Sequence, residues 1–169
     1  LHHFQIIYDN CFKHMRVTYG KSVHNTQEIK AVLKVLNSST QMGRNVRELE
    51  LKIAKLFNKK YGIMFNSASS ALLIAFEILN LPKGSEVITP SLNFGTAVSA
   101  IIKSNLTPKF VDVESDTFCI DANKIEKLIN KNTKLLCIPN LVGNIPDWKK
   151  IRIIAKKHKL ILLEDSADT

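Results

Sequence analysis

The sequence contains few cysteines, few arginines and no metal-binding or membrane-spanning pattern. Its three cysteines, Cys11, Cys119 and Cys137, are odd in number and form no C-x-x-C pair, which is typical of reduced thiols in a cytosolic protein. The five histidines show no H-E-x-x-H or Cys/His spacing, so we expect no metal site. No apolar run approaches about 18 residues and no segment resembles a signal peptide, so we expect no membrane association.

Two common nucleotide-binding motifs are also absent. Neither G-x-G-x-x-G nor G-x-x-x-x-G-K-[ST] occurs, which argues against a Rossmann dinucleotide site and a P-loop. The net charge of +9 is concentrated in residues 1–60, which hold 11 Lys and Arg against 4 Asp and Glu. Only 4 of the 24 basic residues are arginine, whose guanidinium group binds phosphate through two N–H groups at once and therefore better than lysine does. The composition therefore disfavours nucleic acid as a partner and fits a small anionic substrate equally well.

The first 60 residues have the pattern of an N-terminal arm followed by helices. Residues 1–25 show no clear period and include a plausible turn at Tyr19-Gly20. Thr26 is predicted to cap a helix that ends near Leu36. A second amphipathic helix is predicted after Gly43. We expect this segment, 1–60, to precede a separate domain over 61–169.

From residue 61 onward, short apolar runs alternate with helical patterns. This alternation predicts an α/β fold with a mostly parallel sheet. The final run, Leu160 to Leu163, is apolar throughout and predicts a strand buried on both faces. Strands are predicted at 62–65, 86–89, 109–113, 134–138 and from 160, and helices up to 80 and at 95–104, 121–130 and 146–158.

In such a sheet the strand-to-helix turns share one edge, where ligands bind. The predicted turns are Asn66–Ser70, Pro90–Thr96, Pro139–Pro146 and Glu164–Asp168. Serines before a helix N-terminus suit a phosphate, although they are also ordinary N-caps. Phe94 suits stacking on a flat ring, or simply a core position. Asp165 suits a cationic nitrogen, or a solvated acidic turn. Together the three turns describe pyridoxal 5′-phosphate (PLP).

Six ordered motifs resemble the DegT/StrS family of nucleotide-sugar aminotransferases, which are PLP enzymes of fold type I. The resemblance runs from about Tyr19 to the end of the chain. It implies a three-layer α/β sandwich that forms the first part of the large PLP-binding domain. The matching segments are Met42–Glu50, Asn66–Leu72, Gly84–Ser91, Phe110–Val113 with Asp121, Gly143-Asn144 and Glu164-Asp165.

The resemblance also implies roles for particular residues. Ser69 and Ser70 would bind the cofactor phosphate. Phe94 would stack on the pyridine ring, and Ala167 would lie near the ring's other face. Ala68 stands where the family usually has glycine, which makes this backbone less free.

At the end of the chain, Asp165 would pair with the ring nitrogen as the catalytic residue. Asp168 would lie near the cofactor, where most members have glutamine, and Asn140 stands where many have histidine. Glu164-Asp165-x-x-Asp168 with Gly143-Asn144 also resembles the branch of nucleotide-4-keto-sugar 3-dehydratases, in which histidine replaces the Schiff-base lysine. No lysine here has the expected context, so the chain alone is expected to be inactive.

The resemblance therefore predicts a cytoplasmic, homodimeric enzyme that transfers an amino group, from glutamate, to a nucleotide-linked keto-sugar. Its pathway would be cell-surface polysaccharide or deoxyamino-sugar biosynthesis. The alternatives are the PLP/PMP-dependent 3-dehydratase, a non-catalytic α/β binding domain, and an α/β domain that does not use PLP. The missing initiator methionine and the end just after a strand suggest the N-terminal part of a longer enzyme.

Overall fold

The computed structural model describes residues 21–169. Cys11 and the predicted Tyr19-Gly20 turn lie outside these residues. The chain divides after Gly62 into two compact units. No helix in the described part of the chain is long and apolar enough to cross a bilayer.

Within residues 21–62, the first unit contains the helices α1 (Thr26–Leu36) and α2 (Arg44–Leu56). The predicted cap of α1 is wrong by one residue. The Asn25 side chain accepts a hydrogen bond from Gln27, and the Glu28 carboxylate accepts one from the Asn25 N–H at 2.7 Å. This reciprocal capping box places Thr26 inside the first turn.

The second unit is a four-stranded parallel sheet with helices between its strands. The strand order is β2-β1-β3-β4, so the chain reverses its direction across the sheet after β2. The elements are α3 (Ala68–Leu79), β1 (Glu86–Pro90), α4 (Gly95–Lys103), β2 (Thr107–Val111), α5 (Ala122–Ile125), β3 (Thr133–Pro139), α6 (Trp148–Lys157) and β4 (Ile161–Asp165).

Successive residues of each strand point to opposite faces of the sheet and pack into two hydrophobic cores, one on each face. Side chains of Val87, Leu135 and Cys137 pack with α3 and α4. Their neighbours in sequence, Ile88 and Leu136, pack with α5 and α6 on the other face. A sheet covered by helices on both faces is the predicted three-layer sandwich, which is confirmed.

Four predictions about the strands and helices need correction. The segment Ile63–Phe65 is largely exposed and forms no strand. It is not one of the four strands of the sheet. β4 is not buried on both faces, since it is an edge strand and Ile161 is 39% exposed.

The predicted strand 109–113 lies two residues earlier, at Thr107–Val111, because the Asp112 side chain binds the Val113 N–H and Val113 bridges antiparallel to Ile120. The predicted helix 121–130 begins as expected, with the Asp121 side chain as its cap. It is α-helical only to Ile125, because the next turn tightens to a 3₁₀ geometry and the chain then extends towards β3.

The carboxyl ends of the strands share one edge, as predicted for a parallel sheet. Pro90 is paired with Val111, and Pro139 with Asp165. The C-terminus of α3 leads through Gly84 (φ +77°) to the start of β1, and Leu72 and Phe76 pack this helix on the sheet. We therefore infer that α3 runs antiparallel to β1. The N-terminus of α3 therefore points towards the edge formed by the carboxyl ends of the strands. Below, we call this edge the carboxyl edge.

Candidate functional site

The serine-rich turn forms the capped N-terminus of α3. The Ser67 hydroxyl accepts a hydrogen bond from the Ser70 N–H at 3.2 Å and donates one to the Ser70 hydroxyl at 3.1 Å. Ser67 is therefore the cap, while Ser69 is exposed in the first turn. The N–H groups of Ala68 and Ser69 have no intrahelical acceptor because they lie in the first turn. This end of α3 can donate several hydrogen bonds to an anion.

Phe94 is exposed at the start of α4, in the turn after β1. The Asn93 side chain donates to the buried Thr89 hydroxyl at 2.8 Å and accepts from the Phe94 N–H at 2.7 Å. The two bonds fix the backbone from which the ring projects. The Phe94 side chain is 69% exposed, so the interpretation of this residue as part of the core is wrong.

Asp165 is half-buried at the carboxyl end of β4. Its Oδ1 accepts from the Ala167 N–H at 3.2 Å, and its backbone carbonyl accepts from the Asn140 N–H at 2.9 Å. Since strand residues alternate, Asp165 lies on the same face as Leu163, the face covered by α3 and α4. The pKa of Cys137, on the same face, is raised to about 12 by burial and, secondarily, by the charge of Asp165.

Asp168 connects this turn to the loop after β3. Its Oδ2 accepts a hydrogen bond from the Val142 N–H at 3.1 Å. Val142 has a φ of +54°, a conformation that is uncommon for a β-branched residue. Asp168 therefore holds a strained loop residue at the carboxyl edge, a contact that the sequence patterns did not indicate.

A polar network centred on the buried Asn140, next to Asp165, was also missed. The Asn140 side chain is hydrogen-bonded to Trp148, Glu164 and Ser166. The available signal was the position of Asn140, a polar residue directly after the apolar run of β3. Its partners are 24 and 26 residues away in sequence for Glu164 and Ser166, so only the strand register identifies them.

The turns after β1, β3 and β4 lie at the carboxyl edge, and the N-terminus of α3 is expected at the same edge from the direction of that helix. The N-terminus of α3 offers donors, Phe94 offers an exposed ring, and Asp165 offers a carboxylate. Among residues 21–169 no group of three or more acidic, histidine or cysteine side chains is arranged to hold a metal ion. The donor and acceptor set suits a molecule with an anionic group, a flat ring and a protonated nitrogen.

Comparison with known proteins identifies the family. The family model of the DegT/DnrJ/EryC1/StrS aminotransferases matches residues 23–169. The chain belongs to this family. The resemblance inferred from the motifs is therefore confirmed, as is the prediction of a fold-type I large domain.

Individual family members match at about one-third identity. GDP-4-keto-6-deoxy-D-mannose 3-dehydratase of Escherichia coli O55:H7 is 33% identical over 157 residues, which are 89% of this chain and 40% of the dehydratase. The 3-oxo-glucose-6-phosphate:glutamate aminotransferase of Bacillus subtilis is 32% identical over 82% of this chain and 33% of that enzyme.

A solved structure of the E. coli dehydratase with bound hydrated PLP has a TM-score of 0.84 at 31% identity and covers 90% of this chain and 41% of the dehydratase chain. The chain thus spans one-third to two-fifths of the length of these relatives.

Proposed function

We propose that this chain forms part of a PLP-dependent aminotransferase that acts on a nucleotide-linked keto-sugar. The observation that supports this most directly is the position of Asp165. Its carboxylate lies at the carboxyl edge, on the sheet face covered by α3, and the serine-rich turn begins α3. A single ligand with a phosphate and a protonated ring nitrogen would satisfy both.

The residues fit this cofactor by their hydrogen-bonding chemistry. Ser69 and Ser70, with the first N–H groups of α3, would bind the phosphate. Phe94 would stack on one face of the ring, and Ala167, which has no bulk beyond Cβ, would lie near the other. When bound, PLP supplies an electron sink for the carbon that exchanges its amino group.

Two carboxylates complete the proposed site. Asp165 would accept a hydrogen bond from the ring nitrogen and keep that nitrogen protonated. One of its oxygens already accepts from Ala167, which orients the group. Asp168 would lie near the cofactor, where its bond to Val142 also keeps the loop after β3 in place.

The relatives support the finer assignments of substrate and partner. One relative is named as a glutamate-dependent sugar-phosphate aminotransferase and another as GDP-perosamine synthase. We accordingly propose glutamate as amino donor, a nucleotide sugar as acceptor and a role in polysaccharide or deoxyamino-sugar biosynthesis. We also propose a homodimer in the cytoplasm, with 1–60 and 61–169 as its first two segments.

A nucleotide-4-keto-sugar 3-dehydratase is the second candidate. Asp168 in place of glutamine favours it, as do the matches to two 3-dehydratases that act on GDP-4-keto-6-deoxy-D-mannose. Both candidates use the same proposed cofactor contacts. The identity of the Schiff-base residue, lysine or histidine, separates them. A non-catalytic binding domain is the third candidate.

Replacing Asp165 with asparagine in the full-length protein tests the proposal. Asp165→Asn should lower the rate of 2-oxoglutarate formation from glutamate by at least about 100-fold, the usual cost of removing one preorganised electrostatic partner. The unfolding midpoint should stay close to that of the wild type. Asp116→Asn is the matched control, because Asp116 is exposed and bonded only locally, to Ser115. Wild-type turnover in Asp165→Asn would refute the proposed role.

Analysis of the products, together with an absorbance titration with PLP, separates the three candidates. Amino transfer supports the first proposal, and loss of the sugar's 3-hydroxyl without net amino transfer supports the dehydratase. A wild-type protein that gives no visible absorbance change with PLP would refute both enzymes.

A further inference from the structure

Asn140 connects the two loops that meet at the carboxyl edge. Its Nδ2 donates to Glu164 Oε1 and to Ser166 Oγ, both at 3.0 Å. Its Oδ1 accepts from the Trp148 indole N–H at 2.8 Å. The residue is only 4% exposed, so water cannot readily replace these partners. Each polar atom of the amide is satisfied, as a buried amide requires.

The partners fix which way the amide points. An indole N–H can only donate, and an ionised carboxylate can only accept. The oxygen of Asn140 must therefore face Trp148 and the nitrogen must face Glu164. Trp148, the first residue of α6, is itself held in the core that this helix forms with the strands. The orientation of Asn140 is thus determined by a rigid part of the fold.

The network holds the residues on both sides of Asp165. Glu164 and Ser166 are its immediate neighbours in sequence, and both accept from Asn140. The backbone N–H of Asn140 also donates to the carbonyl of Asp165 at 2.9 Å. Three hydrogen bonds from one residue therefore hold the Glu164 and Ser166 side chains and the Asp165 carbonyl, without touching the Asp165 carboxylate.

We propose that Asn140 is a positioning residue that orients the Asp165 carboxylate towards the ring nitrogen of the cofactor. This inference rests on the proposed PLP site and adds a residue that does not itself contact the ligand. Binding groups need to be held within a fraction of an ångström, and misplacement weakens binding even when the fold survives. Asn140 achieves this through Glu164 and Ser166.

Asn140→Asp in the full-length protein tests the proposal directly. The new carboxyl can still accept from Trp148, but it cannot donate to Glu164 and adds a like charge beside it. We expect the Kd for PLP, measured by absorbance titration, to rise about tenfold, the factor for one lost hydrogen bond to a charged group. The absorption maximum of the bound cofactor should also shift, because the ring nitrogen loses a well-aligned partner.

Ser166→Ala provides a milder second variant. Ser166 is exposed, so this change should leave the protein folded. It removes one acceptor of Asn140 and one donor to Glu164, and the Kd for PLP should rise about twofold to threefold. This variant decides the question if Asn140→Asp does not fold.

Thr133→Val is the matched control for a lost buried hydrogen bond. Thr133 is 4% exposed and donates to Glu86 Oε2 at 3.2 Å, at the opposite edge of the sheet. It should lower the unfolding midpoint while the Kd and spectrum stay at wild-type values.

The inference is overturned if Asn140→Asp, or Ser166→Ala where the first does not fold, binds PLP with the wild-type Kd and spectrum. It is also overturned if Thr133→Val weakens PLP binding as much, since the effect would then follow stability alone. A wild-type protein that binds no PLP refutes the proposed function itself, and the inference with it.

Discussion

Ser67 and Ser69 lie two residues apart, yet they occupy different environments in the structure. At the cap of α3, the Ser67 hydroxyl accepts a hydrogen bond from the Ser70 N–H and donates one to the Ser70 hydroxyl. Ser69 is exposed in the first turn of the helix. We therefore predict that Ser67→Ala acts on stability and that Ser69→Ala acts on cofactor binding.

The magnitudes follow from these contacts. Ser67→Ala removes an N-cap and should lower the free energy of unfolding by about 1 kcal/mol. Ser69→Ala removes no side-chain hydrogen bond among residues 21–169, and alanine is the better helix former, so its effect on the free energy of unfolding should stay within about 0.5 kcal/mol. If Ser69 binds the phosphate, its loss should cost about 1.5–3 kcal/mol of binding, or roughly tenfold to 100-fold in the Kd for PLP.

Two measurements on the full-length protein separate the effects. Urea unfolding without cofactor reports the cap, and absorbance titration with PLP reports the phosphate contact. The two variants serve as controls for each other, because both delete a serine hydroxyl from the same turn. If Ser69→Ala destabilises the protein as much as Ser67→Ala does and leaves the Kd unchanged, the assignment of the two serines is refuted.

Two further predictions concern the core. Leu136→Ala, at a fully buried position in β3, should lower the free energy of unfolding by about 2–5 kcal/mol; Ile161→Ala, on the exposed edge strand, should cost clearly less, and equal costs would contradict the assigned core. Cys137, whose pKa is raised to about 12, should remain a protonated thiol at pH 8. Peptide mapping should find it unlabelled by iodoacetamide in the native protein but labelled in urea, and rapid native labelling would contradict its burial.

The layered fold was predictable because its signals are local. Apolar runs of strand length, each followed by a helical pattern, imply a parallel sheet wherever they occur. The predictions failed where strand pairing determines whether a segment forms a strand and how deeply it is buried. Ile63–Phe65 is apolar enough for a strand but is not part of the sheet, and Leu160–Leu163 has the composition of a central strand but lies at the edge of the sheet that residues 21–169 form. Composition reports that a segment can be buried, whereas strand order determines how far it is.

The sequence predicted which turns form the candidate site, but it did not predict the hydrogen bonds between their residues. Parallel pairing alone brings Pro90, Pro139 and Asp165 to one edge. The bonds from Asn140 to Glu164 and Ser166 depend on the register of β3 against β4, which pairs Ile138 with Glu164. No sequence pattern encodes that register, so the network became visible only in the structure.

The same register explains why two adjacent acids, Glu164 and Asp165, are not interchangeable. Successive strand residues point to opposite faces of a sheet. Glu164 shares the parity of Leu162 and meets Asn140 beside α6, whereas Asp165 shares the parity of Leu163 and lies on the face of α3 and α4. The Glu164 carboxylate accepts hydrogen bonds from Asn140 and Ser166. Within residues 21–169, the Asp165 carboxylate accepts a side-chain hydrogen bond on Oδ1 alone, from Ala167. A shift of one residue in the pairing of β4 would exchange these roles. The network around Asn140 therefore also serves to hold the register that presents Asp165 at the carboxyl edge.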